Sequence, residues 1–83
     1  MDRAIFDMKL GVEATSLYIL ICALSDQGEA PTLDRIRLQW NGSTEELLHA
    51  AEELVRHGIA DGSVPVHENE PLHINPKEKW HRA

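Results

Sequence analysis

Cysteine is nearly absent from the chain, and its scarcity limits what can hold the fold together. Cys22 is the single cysteine among 83 residues, so an internal disulfide framework and a thiolate zinc site are both excluded. The longest apolar run, residues 17–24, is too short to cross a bilayer. The first residues lack the apolar core of a signal peptide, so we expect a cytoplasmic protein that does not contact membranes.

Basic residues are also scarce. Lys and Arg number 8 against 14 Asp and Glu, which gives a formal net charge of −6. This balance disfavours indiscriminate attraction to nucleic acid or to an anionic membrane surface. Hydrophobic residues make up 42% and charged residues 27% of the chain, an ordinary globular composition. The length fits one small domain.

The sequence lacks the usual marks of catalysis. Its glycines form no phosphate-binding loop, and spacing establishes no nucleophile beside a histidine and a carboxylate. His67 and His73 would be diagonal neighbours on the outward side of a ribbon, but no third ligand is fixed beside them. We therefore expect no enzyme activity, no cofactor, no metal site and no small-molecule substrate.

Residues 13–27 have the pattern of a buried helix that ends at Gly28. Its core face follows the i, i+3, i+4, i+7 spacing of an amphipathic helix: Leu17, Leu20, Ile21 and Leu24. Apolar residues also occupy its other sides: Tyr18, Ile19 and Cys22. A helix that is hydrophobic nearly all round is usually buried on more than one side. Either the N-terminal arm or a second subunit is expected to cover the remaining side.

The arm itself, residues 1–11, has two interpretations. Phe6, Met8 and Leu10 alternate with polar residues, as in a strand, while Ile5, Met8 and Val12 would share one face of a helix. The pattern leaves this choice open. An alternating arm could extend the sheet of a partner or exchange between subunits.

Two further helices follow, each with a start signal. Thr32 is placed to cap a short helix that ends at Asn41-Gly42. Ser43 and Glu46 form the reciprocal capping box of a third helix, which Gly58 terminates with Ile59 packing back on it. About a third of the circumference of this helix is apolar: Leu47, Leu48, Ala51, Leu54 and Val55.

After Gly62 the apolar period changes from helical to two. Val64 and Val66, then Leu72 and Ile74, alternate on either side of a polar tip at 68–70, which predicts an irregular two-stranded ribbon. Residues 76–83 form a short basic tail. We expect Trp40 in the core and Trp80 docked onto the domain, with stacking on a base or a partner side chain as the alternative for Trp80.

This order of elements resembles a winged helix-turn-helix domain of the transcription-regulator type. The resemblance rests on residues 32–59, with Asn41-Gly42-Ser43 at the turn and residues 62–74 as the wing. It implies an α+β fold with a three-helix core and a two-stranded β-hairpin wing over residues 12–75. In that family the third helix enters the major groove of DNA. A basic residue is common where His49 stands, so this chain departs from the family pattern.

The exposed face of the third helix would be the recognition surface, and it is acidic. Its candidate residues are Thr44, Glu45, Glu46, His49, Glu52, Glu53 and Arg56. Such a face meets repulsion from phosphates, and base contacts presuppose phosphate contacts. Glu45–His49, Glu52–Arg56 and Glu53–His57 could simply be supportive i, i+4 pairs on a solvated helix. The cations available for phosphates are Arg35, Arg37, Lys77, Lys79 and Arg82.

The sequence therefore predicts a non-catalytic binding module, and we expect protein–protein interaction or self-association in a regulatory context. The candidate self-association residues are the surplus apolar ones: Phe6, Met8, Leu10, Tyr18, Ile19 and Cys22. The alternative is a dimeric DNA-binding transcription regulator that uses the helix-turn-helix at 32–58. Double-stranded DNA is the partner that the acidic face disfavours.

Overall fold

The chain forms an α+β fold, described by a computed structural model over residues 3–62 and 71–81. The helices are a 3-10 helix at Arg3–Met8, α1 at Val12–Asp26, α2 at Leu33–Arg37, α3 at Thr44–Arg56 and a 3-10 turn at Lys77–Lys79. The strands β1, Ala60–Asp61, and β2, His73–Ile74, pair antiparallel. Among the described residues, no helix is long and apolar enough to cross a membrane.

Helix α1 lies within one residue of its predicted bounds. Gly28 has a φ of 78°, the left-handed conformation that favours glycine after a helix end. At the other end, the N-cap residue is Gly11, which has no side chain to accept hydrogen bonds from the free amides of the first turn. The side chain of Glu53 approaches from α3, and its Oε2 accepts a hydrogen bond from the Gly11 amide at 3.2 Å.

Helices α2 and α3 begin as the sequence predicts. The Thr32 hydroxyl accepts from the Arg35 amide at 3.3 Å. Ser43 and Glu46 form both arms of the capping box, which fixes the entry into α3. Helix α2 itself stops at Arg37, and i→i+3 hydrogen bonds continue the chain in tighter turns to Trp40.

The core lies mainly between α1 and α3. Helix α1 buries Ala14, Leu17, Tyr18, Ile21 and Leu24, and α3 buries Leu47, Ala50, Ala51 and Leu54. Each large apolar side chain removed from water stabilises the fold by about 1.5–3 kcal/mol. Gly58 ends α3 with a φ of 71°, and the Ile59 amide then donates to the Leu54 carbonyl at 3.0 Å. Ile59 is fully buried, as the capping pattern predicts.

The hairpin begins two residues earlier than predicted. Ala60 pairs with Ile74 and Asp61 with His73, so the strands start directly after the end of α3. Leu72 is buried and His73 exposed, which confirms the predicted alternation on this strand. The expected strand residues Val64 and Val66, His67 and the tip at 68–70 lie outside the described residues.

A third backbone segment joins this sheet. Thr32 forms an isolated antiparallel bridge with Pro71, and the Leu72 amide donates to the Pro31 carbonyl at 3.0 Å. The connection between α1 and α2 is therefore tied to the hairpin, an attachment that the sequence pattern did not indicate.

The N-terminal arm is helical, so the strand-like interpretation of its alternation is wrong. Ile5 is fully buried against the core, whereas Phe6 remains 57% exposed. The 3-10 helix contacts α1, with Met8 and Leu10 partly buried beside the core cluster. Ile5 is the fully buried anchor of the segment and Met8 lies partly buried three residues later, a helical spacing that two-fold alternation would not produce.

The C-terminal segment covers another side of α1. The ring of Trp80 meets that of Tyr18 edge-on, with centroids 5.7 Å apart and an interplanar angle of 85°. The Trp80 indole Nε1 donates to the Asn75 carbonyl at 2.9 Å. Tyr18 is consequently only 1% exposed. Docking, the expected role of Trp80, is confirmed.

The end of α3 holds this segment in place. The Asn75 side-chain amide donates to the Gly58 carbonyl at 2.9 Å. His57 and His81 are joined twice, since the His81 amide donates to the His57 carbonyl at 2.8 Å and His57 Nδ1 donates to the His81 carbonyl at 2.9 Å. Residues 75–81 are thus fixed by backbone and side-chain hydrogen bonds.

Substituting Trp80→Ala tests this docking. It removes the aromatic contact and uncovers the Tyr18 ring, so we expect the free energy of unfolding to fall by about 2 kcal/mol, less than for a fully buried tryptophan. Urea denaturation monitored by circular dichroism measures the change. The control is Leu38→Ala at an 85% exposed site, where the change should stay within about 0.5 kcal/mol. Equal stability of the two variants would contradict the docking.

Candidate interaction surface

The predicted recognition residues all lie on the solvent side of α3. Thr44, Glu45, Glu46, His49 and Arg56 are exposed, and Glu52 and Glu53 are half-buried. The helical pattern therefore placed them on the correct face. Their roles within the domain differ, however, and this decides which of them remain available to a partner.

Several of the glutamates have partners inside the molecule. Glu46 is held in the capping box, and Glu53 reaches the Gly11 amide. Of the three expected i, i+4 pairs, Glu52–Arg56 forms, at 3.7 Å. The Glu53–His57 pair was wrongly predicted, because Glu53 turns toward α1 and His57 binds the His81 carbonyl instead. The Glu45–His49 pair is likewise absent from the ion pairs among the described residues.

An acidic depression lies between α3 and the start of α1, with a volume of about 260 Å³. Its lining consists of Glu13, Ser43, Glu45, Glu46, His49, Ala50 and Glu53. Four carboxylates therefore surround one small concavity, and His49 is its single titratable nitrogen. Such a concavity attracts cations and repels phosphate.

A second, larger depression adjoins the first and shares Glu13 and Glu46 with it. This Trp40 groove has a volume of about 500 Å³ and runs between α1 and the turn that precedes α3. One wall is the side of α1 formed by Val12, Glu13, Ser16, Ile19 and Leu20, and the other consists of Gln39, Trp40, Asn41, Gly42 and Glu46. Val12 is 79% exposed and Ile19 40% exposed.

Trp40, which the sequence predicts in the core, is only partly buried and packs against the core cluster without being one of its buried members. Its indole Nε1 is shielded from solvent yet has no hydrogen-bond acceptor. A β-carbon placed on Gly42 would lie 2.9 Å from this nitrogen. Because Gly42 has no side chain, the turn packs closer to this unsatisfied donor than a residue with a β-carbon would allow. An unpaired buried donor costs about 1–3 kcal/mol.

The candidate phosphate-binding cations are dispersed. Arg35 forms an ion pair with Glu29 at 2.8 Å, so its guanidinium already has a carboxylate partner within the domain. Lys77 and Lys79 are exposed on the C-terminal 3-10 turn, and Arg37 is exposed at the end of α2. Arg82 lies outside the described residues. These positions make no continuous basic stripe across the described surface.

The predicted self-association set is divided by the structure. Tyr18 is buried under Trp80 and is thereby removed from the surface, while Met8, Leu10 and Cys22 pack partly buried against the core. Phe6 and Ile19 remain exposed. Val12 and Leu38 are also exposed, Leu38 to 85%, although neither was predicted as a surface residue. Ile19 and Leu20 follow Val12 by seven and eight residues, so the three lie on one side of a helix. This spacing was the sequence signal for the open side of α1.

Cys22 has the setting of a structural thiol. Burial raises its pKa, and a side-chain hydrogen bond from Tyr18 offsets part of that increase. The thiolate, which is the reactive form, is therefore suppressed. Among the described residues, no group of His, Cys, Asp and Glu is arranged to hold a metal ion. His73 is exposed on β2, and its expected neighbour His67 lies outside the described range.

Comparison with known proteins identifies no relative: no family model, curated protein or solved structure matches this chain. The fold and the chemistry of its surface are what remain to indicate a function.

The protection of Cys22 has a pH dependence that can be measured. The folded thiol keeps its proton to higher pH than an unfolded one, so at about pH 8 alkylation by iodoacetamide should be slower in the folded protein. By linkage, the stability that this group contributes is present below about pH 8.5 and declines as the pH rises further. The reference is the same protein in urea. Equal folded and unfolded rates would contradict the buried setting.

Proposed function

We propose that the chain is a non-catalytic winged-helix module that binds a basic segment of a partner protein through the acidic outer face of α3. The winged-helix assignment is supported by the order of α1, α2, the turn at 41–43, α3 and the hairpin. The bridge between Thr32 and Pro71, which ties the hairpin to the helix-turn-helix, supports it further.

The observation that carries the proposal is the charge around the depression between α3 and α1. Glu13, Glu45, Glu46 and Glu53 line it, and no Lys or Arg does. Arg56, the basic residue of α3, lies beside Glu52. Lysine and arginine side chains of a partner would be attracted to such a surface, and complementary potential also accelerates association.

Self-association is the other form of protein binding in this class. Phe6, Val12 and Ile19 expose apolar surface that a second copy could cover. Two copies, however, would each bring a net charge of −6 and the same acidic depression. Like charges facing each other oppose such a contact, so a basic partner fits this surface better.

A dimeric DNA-binding regulator is the second candidate, favoured by the arrangement of α2, turn and α3 and by the exposed Arg37, Lys77 and Lys79. In that mode α3 would enter the major groove. Its glutamates would then face phosphates spaced at about one charge per 1.7 Å of duplex. Arg35, one of the expected phosphate contacts, is engaged with Glu29.

Charge reversal separates the two candidates. The double variant Glu45→Lys/Glu52→Lys should weaken binding of a fluorescent oligolysine peptide by about tenfold or more, because it removes attraction at the surface itself. Fluorescence anisotropy at low salt measures the affinity. Asp61→Lys/Glu78→Lys is the matched control, since it makes the same net charge change at exposed positions outside α3.

The same titration with a sequence-random duplex tests the alternative. The wild-type protein should show no binding up to about 100 μM at 100 mM salt, the range in which non-specific DNA binders associate. Duplex binding by the wild-type protein that weakens steeply with salt would contradict the proposal and favour the regulator. Equal losses of oligolysine affinity in the two double variants would show that only net charge matters.

A further inference from the structure

We propose that the Trp40 groove receives the apolar side of an amphipathic, basic helix, and that a carbonyl oxygen of this helix or its flanks accepts a hydrogen bond from the Trp40 indole. This inference rests on the proposed function and adds a second, apolar part to the binding site. It also defines the kind of segment that the partner must present.

The groove has the size and lining of a site for apolar side chains. Its volume of about 500 Å³ lies within the range of about 300–1,000 Å³ typical of ligand pockets. The apolar lining comes from Val12, Ile19, Leu20 and Trp40. Two of these side chains are substantially exposed although their helix is buried on its other sides. A partner that buries these two side chains would gain hydrophobic free energy, because their apolar surface is exposed to water in the isolated domain.

The Trp40 indole provides the polar contact. A buried donor without an acceptor destabilises the free protein. A partner that supplies an acceptor removes this penalty, and the free energy recovered contributes to binding. Since the nitrogen is shielded from solvent, this inference requires the Asn41-Gly42 turn to move when the partner binds. The Gly42 backbone packs closely beside this nitrogen, since a β-carbon built on it would lie only 2.9 Å away.

Charge complementarity selects the occupant. The groove continues into the acidic depression, because Glu13 and Glu46 line both. An occupant spanning the two must be apolar on one side and cationic on the adjoining side. An amphipathic helix with lysines flanking an apolar stripe has that distribution, and helix-in-groove binding uses anchors at i, i+3/i+4 and i+7. An anionic ligand, or a second copy of this acidic chain, would meet repulsion from the same glutamates.

Nuclear magnetic resonance of the two indole N–H groups tests the contact directly. The probe is a synthetic helical peptide of leucine and lysine, about four turns long, with leucines at i, i+3, i+4 and i+7 spacing. On titration into ¹⁵N-labelled protein, the Trp40 indole proton should shift downfield as it gains an acceptor. The Trp80 indole already donates to the Asn75 carbonyl and should remain in place. Trp40→Phe and Trp80→Phe assign the two signals.

Substitutions in the groove provide a second readout. Ile19→Lys places a cation in the groove at a position that tolerates a polar side chain, and it should weaken the leucine–lysine peptide by about tenfold or more. Leu38→Lys adds the same charge at an exposed position outside the groove lining and should leave the affinity within about threefold. Gly42→Ala places a β-carbon too close to the indole nitrogen, so the indole or the turn must shift, and both the affinity and the Trp40 shift should be reduced.

Two control peptides distinguish the possible failures. If the leucine–lysine peptide binds no more tightly than oligolysine and leaves the Trp40 signal unmoved, this inference is overturned while the proposed function stands. If neither cationic peptide binds, both are overturned. A leucine–glutamate peptide should fail to bind, and equal binding by it would overturn the charge complementarity on which the choice of occupant depends.

Discussion

The burial of α1 is the constraint on which the rest of the structure depends. This helix is apolar on nearly every side, and a small domain must cover it with elements from the whole chain. Helix α3 makes the main packing contact with α1, the N-terminal 3-10 helix adds Ile5, and the C-terminal segment places Trp80 on Tyr18. The side that begins at Val12 is left open. The groove therefore lies where no other described element packs against α1.

The same contacts limit what the domain can offer to a partner. Trp80 is engaged with Tyr18 and with the Asn75 carbonyl, so it is not presented for stacking on a base. Glu53 is directed toward the first turn of α1, where a carboxylate is also favoured by the helix dipole. Carboxylates that line the acidic depression thus also stabilise the fold through hydrogen bonds to helix starts. What the described surface offers outward is an apolar groove continuous with an acidic depression, and the proposed binding of a cationic, amphipathic polypeptide rests on that combination.

Local features could be predicted from the sequence, and contacts between distant residues could not. The capping box of Ser43 and Glu46 and the stops at Gly28 and Gly58 follow from side chains within a few residues of each other. The pairing of Tyr18 with Trp80 depends on how the C-terminal segment returns to α1, which periodicity does not encode. The groove and the unpaired Trp40 indole arise in the same way, from the relative placement of α1 and the 41–43 turn. The acidic character of α3 was readable from the sequence, but the use of Glu53 across 42 positions was not.

The central claim is that the chain itself buries the Leu17, Tyr18 and Ile21 sides of α1 and leaves the side at the groove exposed. Solvent paramagnetic relaxation measures this directly, with a neutral nitroxide added to methyl-labelled protein at two protein concentrations. At both concentrations the methyl signals of Val12 should be attenuated about as strongly as those of exposed Leu38, and those of Ile19 clearly more than those of Leu17, while Leu17 and the Tyr18 ring stay protected. Protection of Val12 and Ile19 to the level of Leu17, or attenuation of the Tyr18 ring, would contradict the account.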